Sequence, residues 1–476
     1  MKNFLEYLTI VDLFIVLLFF VMLFVITYYF LRNSTLKLDS FFLSGRKLPW
    51  YLAGTAMVAT TFAADTPLAV TELVAFNGVA GNWLWWNMAI GGMLTVFFFA
   101  PLWRRSEILT DLEFIELRYS GKSASILRGF KAIYLGFFMN LIILAWVHKA
   151  MDKIFLIIFP SFDSFNIVII VAFITAIYAM LIGLTGTVRT DSIQFIFALT
   201  GCIILAIYAL KIPEIGGLRG LKEKLDPSMI NFFPKIKNAK FDNKEILNTA
   251  FSLPIGAFVA YVFIQWWAAW YPGADPGGGG YIAQRIMATK NEKHGMLATL
   301  WFNIAHYTIR PWPWIIVALC ALVIMPGNKD LQKLKNENPD LFAKVVEVYN
   351  SGENVFKNSQ SYSKDFMEMY ECYQNTVDPG VMYPKLMVKF LPAGLLGLLI
   401  AVFLSAYMST ISSQLNWGTS YLVNDFYKRF INKNQSDRHY IMISRIIFLV
   451  LIFFFVNNHS LFFEYNKRGV GVHYKC

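Results

Sequence analysis

The sequence predicts an all-α polytopic membrane protein, and three observations carry that prediction. Of 476 residues, 57% are hydrophobic and 17% aromatic, more apolar surface than a soluble globule of this size can hide. Charged residues make up only 15% of the chain and gather in loops between long runs that almost lack them. Ten of those runs reach the roughly 20 residues a helix needs to cross a bilayer, at approximately 12–31, 50–73, 82–103, 127–149, 165–184, 190–210, 250–271, 296–325, 386–415 and 440–457. Most are apolar all round, which is what lipid as solvent requires.

The first run is too long for the apolar region of a signal peptide and has no small-residue cleavage site after it, so it reads as a retained helix. Basic residues then set the orientation. Arg32, Lys37, Arg46 and Lys47 follow the first span; Arg104, Arg105, Arg118, Lys122, Arg128 and Lys131 the third; Arg285, Lys290 and Lys293 the seventh; Lys428, Arg429, Lys433 and Arg438 the ninth. The loop 74–81 after the second span has none. Odd-numbered connections are therefore expected to face the cytoplasm, with the N-terminus outside a bacterial-type cytoplasmic membrane. The external loop 211–245 opposes this with eight basic residues, but it also holds five acidic ones and is long enough to be translocated regardless of charge. A second long external segment, 327–383, is polar and partly helical in pattern.

The net charge of +11 belongs to these flanks rather than to a basic face on a folded domain, so no nucleic-acid partner is implied. Four scattered cysteines and six histidines form neither a disulfide framework nor a metal motif. No nucleophile or paired carboxylates emerge, and an enzyme is not expected.

Ionisable and hydroxyl residues inside the spans are the candidates for function. Asp65 lies in Ala59-Thr-Thr-Phe-Ala-Ala-Asp-Thr-Pro67, where a mid-helix proline frees the carbonyls one turn earlier. Freed carbonyls can ligate a cation, and broken helices near the bilayer midplane hold ions and substrates in secondary transporters. The alternative is a kink with Asp65 paired to a buried arginine. In the ninth span, Ser405, Ser409 and Ser412 recur near helical spacing beside Thr410; they suit either a hard cation or small-residue helix packing. Asp191, with Thr190 before it and Gln194 after, is either a helix cap or a carboxylate on an ion path. Arg310, beside Pro311 and Pro313 in the eighth span, could bind a substrate carboxylate or neutralise Asp65. The run 272–280 has the glycines of a phosphate loop without its GK[ST] ending, and reads as a turn or an inner gate.

Four stretches together resemble the sodium:solute symporter family, which includes proline, pantothenate and sodium/glucose transporters. They are Phe42-Leu-Ser-Gly-Arg46, Leu109-Thr-Asp-Leu-Glu-Phe-Ile-Glu-Leu-Arg-Tyr119, Gly186 through Gln194, and Ser405 through Asn424 before Asp425, with a Gln-Arg pair retained at Gln284 and Arg285. The resemblance implies a LeuT-type fold of two inverted five-helix repeats within a transmembrane domain 1–457, the helix 12–31 being an addition, 50–210 the first repeat and 250–457 an incomplete second. It implies a coupling sodium ion between carbonyls at Ala59, Phe62 and Ala406 and the hydroxyls of Ser409 and Thr410, with Asp191 in sodium handling. A small organic solute would sit near Asp65, Thr66, Trp85, Gln265, Trp266 and Arg310. Trp85 and Met88 stand where sugar-type members place a polar pair, so an amino acid or organic acid is favoured over a sugar. Residues 458–476 read poorly as a span and suggest a truncated or frameshifted end. The function implied is sodium-coupled symport by alternating access; the alternatives are a solute-binding membrane sensor and an inactive truncated transporter.

Overall fold

The computed structural model describes residues 8–32, 37–160, 162–234, 259–260, 263–264, 280–357 and 359–457. Apart from 259–260 and 263–264, the expected seventh span 250–271 lies outside them, as does the tail 458–476. The described residues form helices without strands, apart from one isolated parallel bridge between Leu48 and Thr289. Six described helices are long and apolar enough to cross a membrane, or seven if Val79–Trp86 and Ala89–Arg105, bent by 41°, count as one. The chain is thus a multi-pass membrane protein.

At the centre is the helix Leu395–Ser420, which runs on as a π-helix, Tyr421–Ile431. Every residue from 399 to 420 is buried, although many of them are Ser, Thr, Asn and Gln. The sequence places the start of this span at 386. Instead a short helix, Met382–Phe390, ends at an extended Leu391 before Pro392, because proline disfavours a helical residue ahead of it. The long helix begins only after Gly394, whose φ is 85°.

Its N-terminus is capped from far away in the chain. Asp12, 1% exposed, sits on the first helix, Ile10–Arg32, and accepts hydrogen bonds from the N–H groups of Gly394 (2.8 Å) and Gly397 (2.6 Å). A carboxylate there satisfies orphan donors and meets the positive end of the helix dipole. A side chain at Gly397 would lie 2.5 Å from the Asp12 backbone, so the two helices meet through glycine. The opposite face of the first helix is largely exposed, with Ile10, Phe14 and Phe24 outermost, as expected of a helix facing lipid.

The expected fifth and sixth spans appear as one run, Ser164–Lys211, broken at Gly183 (φ 57°, ψ −165°). A Cβ at Gly183 would strike Phe41 at 2.8 Å, so glycine is needed for both the conformation and the close approach. Outside the spans, Asn328–Glu337, Pro339–Ser351 and Lys364–Val377 close over an apolar cluster of their own around Leu331, Val345, Phe366 and Met369.

A candidate cation site at a broken helix

The helix Trp50–Thr61 stops at Phe62 (φ −93°, ψ 73°), and a second helix, Asp65–Asn77, begins three residues later. The break falls one turn before Pro67, where a proline removes a backbone donor and crowds the carbonyl four residues earlier. Pro67 itself lies in the first turn of the second helix, where its missing N–H costs nothing. A pair of threonines also ends the first helix. Thr60 Oγ1 donates to the Ala56 carbonyl at 2.9 Å and Thr61 Oγ1 to that of Val58 at 2.8 Å, a competition with backbone pairing that hydroxyl side chains favour. The ring of Phe62 packs edge-on against Trp314, 4.8 Å away.

The central helix crosses this break with its hydroxyls inward. Ser409 Oγ donates to the carbonyl of Ala59 at 3.0 Å, and Thr410 Oγ1 lies 3.0 Å from the carbonyls of both Thr60 and Ala406. Four of the five expected ligands, Ala59, Ala406, Ser409 and Thr410, thus converge, and Phe62 caps the same helix end. Only the helix before Phe62 is interrupted here. The central helix is continuous through 406–410 and contributes mainly hydroxyls. Ser405, one turn before Ser409, is fully buried with its hydroxyl unpartnered among the described residues.

Asp191 lies within the helical run after Gly183 and is not a cap. Its Oδ2 accepts from Ser413 Oγ at 3.2 Å and pairs with Arg285 at 3.4 Å, all three side chains being fully buried. Arg285 also donates to Thr60 Oγ1 at 3.0 Å, and Ser413 is 2.8 Å from that same hydroxyl. Asp191 therefore reaches the break through Ser413 and Thr60 and does not touch the Ala59 carbonyl region itself. The sequence counts Arg285 among the basic flanks that set orientation; instead it is fully buried beside Asp191, with partners 94, 128 and 225 positions away.

On the other side of the break, Arg310 is fully buried and donates to the Val58 carbonyl (3.3 Å) and to Thr61 Oγ1 (3.0 Å). It thus sits at the negative end of the broken helix. His306 links it to the solute candidates: its Nδ1 is 3.1 Å from Thr61 Oγ1, its Nε2 3.4 Å from Arg310, and its ring stands edge-on to Trp85 at 5.4 Å. Thr66 Oγ1 turns back to the carbonyl of Thr61 at 3.4 Å. Asp65 opens the second helix, with Oδ1 buried and unpartnered among the described residues. Trp85, Thr66 and Arg310 thus collect around Thr61, and His306 is the member that sequence reasoning left out. Gln265 and Trp266 lie outside the described residues.

The acidic stretch from Leu109 to Tyr119 closes the end of the bundle reached by the Tyr421–Ile431 helix. Asp425, fully buried, pairs with Arg128 at 2.6 Å and accepts from Thr110 Oγ1 at 2.8 Å. Arg128 also binds Glu116 at 2.7 Å, and Arg429 reaches Glu116 at 3.0 Å. Hydrogen bonds from Arg429, with help from Arg128, hold the Glu116 carboxyl down at about 2. Tyr421 donates to Asp111, whose other oxygen accepts the N–H of Gly280 at 3.0 Å.

A broken span whose end meets the hydroxyls of an intact neighbour, inside a bundle of apolar helices, defines a polytopic membrane protein of the secondary-transporter kind. The chain belongs to the sodium:solute symporter family, whose family model matches residues 41–332 and 365–466. Curated relatives include sodium/glucose cotransporter 1 of Mus musculus, 24% identical over 426 residues and covering 87% of this chain, and sodium/glucose cotransporter 2 of Rattus norvegicus, 24% identical over 436 residues and covering 88%. The sodium/mannose cotransporter SLC5A10 of Bos taurus is 22% identical over 426 residues, 88% of this chain and 64% of its own length. The chain spans 57% and 58% of the two glucose cotransporters. Among solved structures, a Na+-coupled sialic acid symporter in a substrate-bound outward-open state superposes with a TM-score of 0.70 at 18% identity, over 97% of this chain and 83% of that one. The fold is therefore that of a Na+-coupled symporter.

Proposed function

We propose that this protein is a sodium-coupled symporter that carries a small organic solute by alternating access. The observation that supports it most is the approach of Ser409 and Thr410 to the carbonyls of Ala59 and Thr60 at 3.0 Å. These are hard, neutral oxygen donors at the end of a broken helix, and sodium as cargo would replace the hydroxyl-to-carbonyl contacts with its own coordination. Ala59, Phe62, Ala406, Ser409 and Thr410 are the ligand set in this reading, and Asp191 acts behind it through Ser413. The ion drives the cycle only by binding one conformation more tightly than the other.

In the same reading, 50–210 and 250–457 form the two inverted repeats of a LeuT-type fold, with the helix near 12–31 outside them. The chain lies in a cytoplasmic membrane with its N-terminus outside. The solute binds near Asp65, Thr66, Trp85, Gln265, Trp266 and Arg310. The named relatives carry glucose and mannose and the structural neighbour carries sialic acid, so sugars and sugar acids belong in the test beside amino acids and other organic acids. Uptake into proteoliposomes, scored for each solute with and without an inward sodium gradient, is the direct experiment. Sodium-dependent accumulation of at least one class is expected; accumulation that is equal without the gradient overturns the proposal.

A further inference from the structure

The end of the first helix, the turn 44–48, the stretch around Gly183 and the last helix, Asp437–Asn457, line a cavity of about 220 Å³ whose lining includes neither Ala59–Phe62 nor Ser409 and Thr410. Lys47, Arg189 and Arg445 line it together with Phe30, Ser44 and Thr185. Among the described residues none of the three cations has a carboxylate partner, and Arg445 Nε is buried without a hydrogen bond. Of the acids on the neighbouring segments, Asp39 pairs with Arg46 at 3.2 Å, and Asp437 accepts the N–H of Leu38 at 3.3 Å.

The remaining contacts hold the cations in position. Arg189 donates to the carbonyl of Thr185 at 3.0 Å and stacks 4.9 Å from the centre of the Phe30 ring, while Thr185 Oγ1 donates to Ser44 Oγ at 2.9 Å. Ser44, Gly45 and Arg46 all have positive φ, at 54°, 60° and 54°. Two of these are not glycine, a strained turn that persists only where its surroundings enforce it. Three like charges around one hollow repel one another unless an anion joins them.

The cavity also has a membrane side. Ile177 and Leu449, 47% and 45% exposed, each lie four residues, about one helical turn, from a residue that lines the cavity, Leu181 and Arg445 respectively. Both are apolar side chains exposed beside the cationic hollow, as a lipid's acyl chain requires.

We propose that this cavity binds the phosphate headgroup of an anionic phospholipid from the leaflet that flanks Lys47, Arg189 and Arg445, its acyl chain lying along Ile177 and Leu449. Each basic residue near a membrane surface strengthens binding of anionic lipid about fivefold, so three together contribute on the order of a hundredfold.

The full chain, delipidated in detergent and followed by native mass spectrometry, is titrated with phosphatidylglycerol, phosphatidylcholine and inorganic phosphate. Phosphatidylglycerol is expected to bind well ahead of the other two. The triple variant Lys47→Gln, Arg189→Gln, Arg445→Gln should lose about a hundredfold, and Arg189→Lys with Arg445→Lys should stay within a few-fold of the parent. Equal binding of phosphatidylcholine, an unchanged triple variant, or inorganic phosphate that competes at the lipid's own concentration overturns the proposal. Should the triple variant misfold, Lys47→Gln alone, at an exposed position, is expected to lose about fivefold, and no loss overturns it equally.

Discussion

Two polar clusters meet at Thr60, and they differ in kind. Toward the Ala59 carbonyl, the contacts come from Ser409 and Thr410, all neutral oxygens. One turn along the same helix, Ser413 joins Asp191 and Arg285, an ion pair with no solvent exposure on either side. Neutral donors carry no resident counter-charge, so a sodium ion can enter and leave them without breaking a fixed ion pair. The charged cluster already contains its cation in Arg285. Under the proposed symport, the difference would assign exchange to the first cluster and fixed support to the second.

Breaking the fixed cluster should have the largest effect. Arg285→Ala leaves Asp191 buried without its cation, and removal of one member of a buried pair costs about 3–5 kcal/mol. Denaturation of the purified protein in detergent measures this. The double variant with Asp191→Asn should recover part of the loss, whereas additive losses would mean the two residues do not act as a pair.

The neutral cluster should respond through sodium rather than through stability. Ser409→Ala and Thr410→Ala each remove one oxygen, and a hydrogen-bond-strength contact to a charged group is worth about 1.5–3 kcal/mol, a roughly 10–100-fold rise in the sodium concentration giving half-maximal uptake. If both variants lost stability and left sodium dependence unchanged, the roles assigned to the two clusters would be reversed.

Asp12→Ala should cost about 1–2 kcal/mol, the usual range for a lost helix cap, measured in the same unfolding assay. The loss should leave sodium affinity near that of the parent, because Asp12 contacts the opposite end of the central helix from Tyr421.

The smallest effect concerns pH. Glu116 has its carboxyl held down to about 2 from an ordinary value near 4.5, so it binds protons less readily when folded. Its contribution is complete above the unfolded value and is lost as pH falls from about 4.5 to about 2. Because the pair lies partly in solvent, the amount is about 1 kcal/mol. Glu116→Gln should flatten the acid limb of a stability-against-pH curve by that amount.

Much of the site was legible before any fold was known, because its signals are local. Ser409 beside Thr410, and Thr60 beside Thr61, are hydroxyls in spans that are otherwise apolar, which marks them whatever they touch. Asp65 and Pro67 announced a break, and the helix does stop one turn before the proline, at Phe62. The start of the central helix was misjudged: composition runs smoothly through Leu391, and only Pro392 stops the short helix before it. His306 and Arg285 were visible as polar residues, yet their partners belong to other helices and could not be read from spacing.

The sequence by itself determined that the chain enters a membrane, where most of its spans lie and which side chains would be costly there. Those properties follow from the transfer of each segment from water to lipid, a sum over neighbouring residues. Only the tertiary structure decided that Asp12 caps a helix 382 positions away, that Arg285 pairs with Asp191, and that Arg310 closes the end of the broken helix. Hydrogen bonds and ion pairs act over a few ångströms and are indifferent to distance along the chain, so their partners are fixed when the helices pack.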